Sequence, residues 1–134
     1  MNMRERVHRW QWEDFQERTV PRTQLEVEFL SCLLHHPVAL KHVVELGLEI
    51  QFENPLHDQV YRLLFDEVFS KHSTRFSDVI GNLSRLPDPN EQLQRGKLYK
   101  DISMAAHRPP TIELAVEIAT LLADGIQPST ENLL

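Results

Sequence analysis

An all-α fold, a compact orthogonal bundle of about six helices with an extra N-terminal arm, is what this sequence predicts. Apolar residues recur at intervals of three and four in one segment after another, the period of a helix with one face in a core. Helix-starting and helix-stopping residues fall legibly between those segments. The one run that alternates like a strand, Leu48-Glu49-Ile50-Gln51-Phe52, has no second run to pair with. At 134 residues the chain is one ordinary domain, large enough to bury a single core.

The first helix is expected over 24–35. Thr23-Gln24-Leu25-Glu26 has the spacing of a capping box, and Leu25, Phe29, Cys32 and Leu33 lay an apolar stripe on one face until Pro37 forbids continuation. Pro37 suits the first turn of a short second helix whose Leu40, Val43, Val44 and Leu46 face inward, with Gly47 able to supply a left-handed end. Leu48 to Phe52 reads as an extended connector burying Leu48, Ile50 and Phe52. Asn54-Pro55 is an N-cap followed by a preferred first helical residue. It opens the expected central core helix, 55–70, with Leu56, Val60, Leu63, Leu64 and Val68 at helical spacing. Thr74 or Ser77 caps a shorter helix carrying Val79, Ile80 and Leu83, ended by Pro87-Asp88-Pro89. A helix over 90–105 carries Leu93, Leu98, Tyr99, Ile102 and Ala106. After His107-Arg108-Pro109-Pro110, Thr111 caps a last helix with Ile112, Ala115, Ile118, Ala119 and Leu122 on one side, stopped by Gly125. The domain is expected over 20–125, flanked by the arm, 1–19, and a frayed tail, 126–134.

Composition excludes several function classes. The formal net charge is 14 − 20 = −6, with acidic residues scattered, so no large positive field gathers phosphates and strong direct nucleic-acid binding is not expected. A single cysteine, Cys32, allows no intrachain disulfide and no Cys-rich zinc site, which suits a reducing cytoplasm; on the apolar stripe it reads as a small buried hydrophobe. The longest stretch without Asp, Glu, Lys or Arg, Phe29–Leu40, is shorter than a bilayer span, and the charged N-terminus lacks the apolar run of a secretory signal. Phosphate-cradling glycine motifs and the nucleophile-elbow motif are absent, so no nucleotide-hydrolysing core is expected and no cofactor is implied.

Two features invite sharper readings. Val7, Trp10, Trp12 and Phe15 are interleaved with four arginines and four acidic residues in the first twenty. They suit an arm that packs its tryptophans on its own domain or a neighbour, or else a base-stacking site. Among seven histidines, His35-His36 are adjacent and cannot share a helical face, whereas His57-Asp58, with His35 or His36 upstream and Asp101 or Asp124 downstream, resembles the ligand order of HD-type phosphohydrolases. Here the pair opens a helix, where His57 also suits a first-turn position and Asp58 the helix dipole.

Val20-Pro21-Arg22-Thr23-Gln24-Leu25-Glu26-Val27-Glu28 followed by Phe29–Leu34, with the order of caps and stripes above, resembles the V-P-x-x-x-x-E-A-E and apolar helix of the N-terminal domain of DnaB-type bacterial replicative helicases. Phe52-Glu53-Asn54-Pro55-Leu56-His57-Asp58-Gln59-Val60-Tyr61-Arg62 is similar to its F-Y-[ND]-P-x-H-x-x-I-[FY]-R, without a gap. Leu98–Ile102 through Pro110-Thr111 and the following helix look like a third segment. The three cover about residues 20–124 in order. The stretch between Phe69 and Leu98 is shorter than in the family, Gly96 stands where a glycine pair is common, and the tryptophan arm is not typical. Leu33-Leu34-His35-His36-Pro37 also fits the helicase-binding domain of bacterial primase, which shares the fold.

The resemblance implies a non-catalytic interaction module with helicase subunits, primase or a helicase loader as partners. Surplus apolar residues on the last helix, Leu114, Val116 and Leu121 beside Ala119, together with Trp10 and Trp12, form the expected interaction surface, through which a homodimer is expected. Phe29, Leu33, Val60, Leu64 and Ile80 are expected to be buried together.

Overall fold

The structure, a computed structural model, describes residues 20–123; the N-terminal arm with Trp10 and Trp12, and Gly125 with the tail after it, lie outside the described residues. Those residues form six helices and no strand: α1 (Arg22–His35), α2 (Ala39–Glu45), α3 (Pro55–Phe69), α4 (Phe76–Leu83), α5 (Pro89–Ala105) and α6 (Ile112–Ala123).

The centre of the bundle is α1, not α3 as the pattern suggested. Every residue from Leu25 to Leu34 is buried, including Glu26, Glu28 and Ser31, because α6, α5 and α3 pack round it. The stripe of Leu25, Phe29, Cys32 and Leu33 is therefore one side of a helix with no solvent face over that stretch. Its start also differs from the expected capping box. Pro21 precedes the first turn and makes no side-chain cap, and Glu26 turns away from the helix start to bind another segment. His35 is the last helical residue, and the His36 amide closes onto Cys32 O before Pro37.

Residues 36–41 turn through i to i+3 hydrogen bonds, so α2 begins at Ala39, two residues after Pro37. Leu40 and Val43 enter the core, but Val44 and Leu46, expected inward, are exposed: two turns of helix present only one face to α1 and α6. Gly47 has the expected left-handed backbone, at φ +73°. Leu48, Ile50 and Phe52 in the extended connector are partly buried against the core.

The Asn54 side chain accepts from the Leu56 amide and Pro55 opens α3. Val60, Leu64 and Val68 are buried, whereas Leu56 on the outer face is half exposed. Neither Thr74 nor Ser77 is the cap of α4. Arg75 stands there, and Asp78 Oδ2 accepts from the Thr74 and Arg75 amides, bonds to the ionised carboxylate that hold its pKa below the ordinary value. The expected cluster of Phe29, Leu33, Val60 and Leu64 is buried, but Ile80 is 38% exposed. Val79 fills the core from α4 instead, and the next residue, about 100° round the helix, points outward.

Asp88 caps α5 through the Asn90 amide; Tyr99 and Ile102 face the core, while Leu93 on the far side is exposed. Burial next to Glu67 pushes the Tyr99 phenol up to about 12. The Thr111 hydroxyl accepts from the Leu114 amide, as the sequence indicates, and Ala115, Ile118, Ala119 and Leu122 of α6 pack on α1.

Leu64→Ala is expected to cost about 2–5 kcal/mol in urea unfolding and Ile80→Ala under about 1 kcal/mol. Equal losses at the two positions would contradict this packing.

Candidate interaction surface

Two buried carboxylates of α1 hold the loops that lead into α3 and α6. Glu26 Oε2 accepts from the Glu53 amide at 2.7 Å, and its Oε1 from the Asn54 amide at 3.4 Å and from His57 Nδ1 at 2.8 Å. Two residues on, Glu28 accepts from the His107 and Arg108 amides at 2.7 and 3.1 Å and from Gln24 Nε2 at 2.7 Å. Each carboxylate thus replaces its lost water with donors from a loop distant in sequence. Arg22 adds to the first cluster, donating to Gln51 O and Leu122 O and standing 3.6 Å from Glu26.

The histidines take separate places. His57 is buried against Glu26, whereas the adjacent Asp58 pairs with Arg62 at the surface, so the two side chains do not share a centre. His35 Nε2 lies 2.6 Å from Ser103 Oγ with its ring stacked on Phe76, and His36 Nε2 meets Pro110 O. Among the described residues no three of His, Cys, Asp and Glu are grouped to hold a metal ion. Cys32 is fully buried, and that burial pushes its thiol pKa up.

The expected interaction residues of the last helix do not form one surface. Ala119 is fully buried in the core and contributes nothing outside, because it stands four residues after Ala115 and three before Leu122 on the face packed on α1. Leu114 and Leu121, seven residues apart, share one flank of α6, half-buried; Val116, about 200° from Leu114, lies on the other. That second flank forms an open cleft with α2 of about 600 Å³, lined by Leu46, Ile112 and Val116 with His42, Glu45 and Glu113 at its edges.

A second apolar surface was not anticipated. Tyr61, Phe65 and Phe69 follow one another along the outer face of α3, their rings 6.1 and 4.6 Å apart, and the row runs inward through Phe52 to the buried Phe29. Phe65 and Phe69 are exposed, and beside them Ile50, Asp58, Tyr61, Arg62 and Phe65 line a shallow cleft of about 310 Å³. The four-residue spacing of the aromatics was the available signal.

Glu26→Ala and Glu28→Ala, which strand buried amides, are each expected to cost about 3–5 kcal/mol in chemical unfolding. His57→Ala removes a buried hydrogen bond rather than the minor capping contact its sequence position suggested. Burial, and then the neighbouring His36, hold the His35 pKa below its ordinary value of 6.5, so its imidazole is expected to titrate below 6.5 by NMR. The unfolded chain then binds more protons, so this contribution to stability is complete above 6.5 and fades as pH falls through the depressed pKa. An unfolding free energy whose slope in that window is the same in His35→Gln would contradict it.

No protein-family model, curated protein or solved structure matches the chain.

Proposed function

We propose that this chain is a non-catalytic protein-interaction module akin to the N-terminal domain of DnaB-type replicative helicases, working in the cytoplasm in helicase assembly and in docking primase or a loader. The observation that carries the reading is the joining of the three resembling segments by Glu26 and Glu28. Glu26 and Glu28 are the two glutamates of the first segment. One holds the Glu53-Asn54-Pro55-Leu56-His57 segment by two amides and an imidazole, and the other holds the amides just before Pro109-Pro110-Thr111. Asn54 and Thr111 are in turn the caps of α3 and α6. Residues that look like scattered matches along the chain are therefore parts of one hydrogen-bonded frame, which supports a common architecture over chance.

Docking by such a module needs exposed apolar surface on rigid helices. Phe65 and Phe69 on α3 supply aromatic anchors for a partner, and the Leu114 and Leu121 flank of α6 suits self-association. No helix among the described residues is long and apolar enough to cross a membrane.

Binding of the purified chain to a bacterial replicative helicase and to primase, followed by sedimentation velocity, tests the reading. A complex is expected, weakened about tenfold, or about 1.4 kcal/mol, by Phe65→Ala with Phe69→Ala. Binding to helicase alone would favour a primase-type helicase-binding domain. Failure to bind either protein at roughly 100 µM, where a contact of about −5 kcal/mol would register, would overturn it. So would metal-dependent phosphoester hydrolysis that His57→Ala abolishes.

A further inference from the structure

The cleft between α2 and α6 has an apolar floor and an acidic rim. Leu46 is 58% exposed there, Ile112 and Val116 are half-buried, and the carboxylates of Glu45 and Glu113 stand exposed at the edges. A matching occupant carries a large apolar side chain flanked by cations.

The chain has two segments outside the described residues, and charge distinguishes them. Residues 124–134 contain Asp124 and Glu131 and no lysine or arginine. The first ten residues contain Arg4, Arg6 and Arg9 against one acidic residue, Glu5, a balance of 3 − 1 = +2, and they run directly into Trp10 and Trp12. The attachment point is close. Arg22 bonds to Leu122 O, and Val116 is six residues back along α6, about 9 Å away. The path from Val20 back to the tryptophans is 20 − 12 = 8 to 20 − 10 = 10 residue steps, which can span about 26–33 Å.

We propose that the N-terminal segment Arg4–Trp12 of the same chain occupies this cleft, with tryptophan against Leu46, Ile112 and Val116 and arginines against Glu45 and Glu113. A tether of this length gives an effective concentration on the order of millimolar, which favours the chain's own segment over that of a second copy. The segment then covers the apolar floor and competes with any ligand that reaches it. The proposal needs no helicase or primase, so it stands or falls apart from the function proposed above.

Trp10 and Trp12 are the only tryptophans, so intrinsic fluorescence reads this segment alone. The 134-residue chain is expected to show blue-shifted emission and slow quenching by iodide. Val116→Glu, which puts a charge in the floor, should shift the emission to that of tryptophan in water and raise the quenching constant severalfold. Glu45→Lys with Glu113→Lys, confined to the exposed rim, should do the same in a chain whose circular dichroism is unchanged. The wild-type spectrum should not vary with protein concentration. Water-like emission from the wild type would overturn the proposal. Blue-shifted emission indifferent to both variants would place the tryptophans elsewhere and also overturn it, and a blue shift that vanishes on dilution would give the cleft to a second copy.

Discussion

A carboxylate inside an apolar bundle is costly unless donors replace its water, and α1 carries two of them within three residues, on a stretch with no solvent-facing side. Glu26 and Glu28 meet that constraint by taking backbone amides from the loops before α3 and α6. The geometry of those loops follows from the carboxylates as much as from apolar packing. Hydrophobic contact alone is non-directional and would let α3 and α6 slide along α1; hydrogen bonds of 2.7 Å do not. The aromatic row on α3 and both flanks of α6 therefore sit on elements whose starting points are fixed.

Most of the fold is legible in the sequence because local chemistry and long-range packing agree there. Asn54-Pro55, Thr111 and Gly47 do what their residue types dictate, and Val60, Leu64 and Ile118 bury where their period places them. The failures are local rules that a tertiary demand overrode. Thr23 and Glu26 match a capping box, but Glu26 serves the entry to α3 at a separation of 27 to 31 residues, which no short-range pattern shows. The centre likewise falls on α1 although the clearer stripe is on α3. An amphipathic stripe marks a helix with one buried side, and a helix enclosed on all sides, with glutamates in it, shows a weak one.

The surface is less legible, for a different reason. Periodicity separates inside from outside, but it does not say which outward residues of two helices meet. Leu46 and Val116 share a cleft through the crossing of α2 and α6, and Leu114 and Val116 are divided by their offset round one helix. Ala119, beside them in sequence, belongs to the core. The four-residue spacing of Tyr61, Phe65 and Phe69 does mark a face, but Val60, Leu64 and Val68 beside them give the same helix a stronger inward stripe.

The Glu28 clasp ties the first helix of the bundle to the turn that enters the last, across 79 to 80 residues, whereas the Glu26 clasp spans 27 to 31. Closing the longer loop costs about 1 kcal/mol more chain entropy than closing the shorter one, by the logarithmic dependence on loop length. A chain that has docked α3 but not α6 thus lacks the amide donors of Glu28 and leaves open the side of α1 that α6 covers. Such a half-assembled bundle is penalised by its own centre, so α6 is joined to the cooperative unit rather than appended to it.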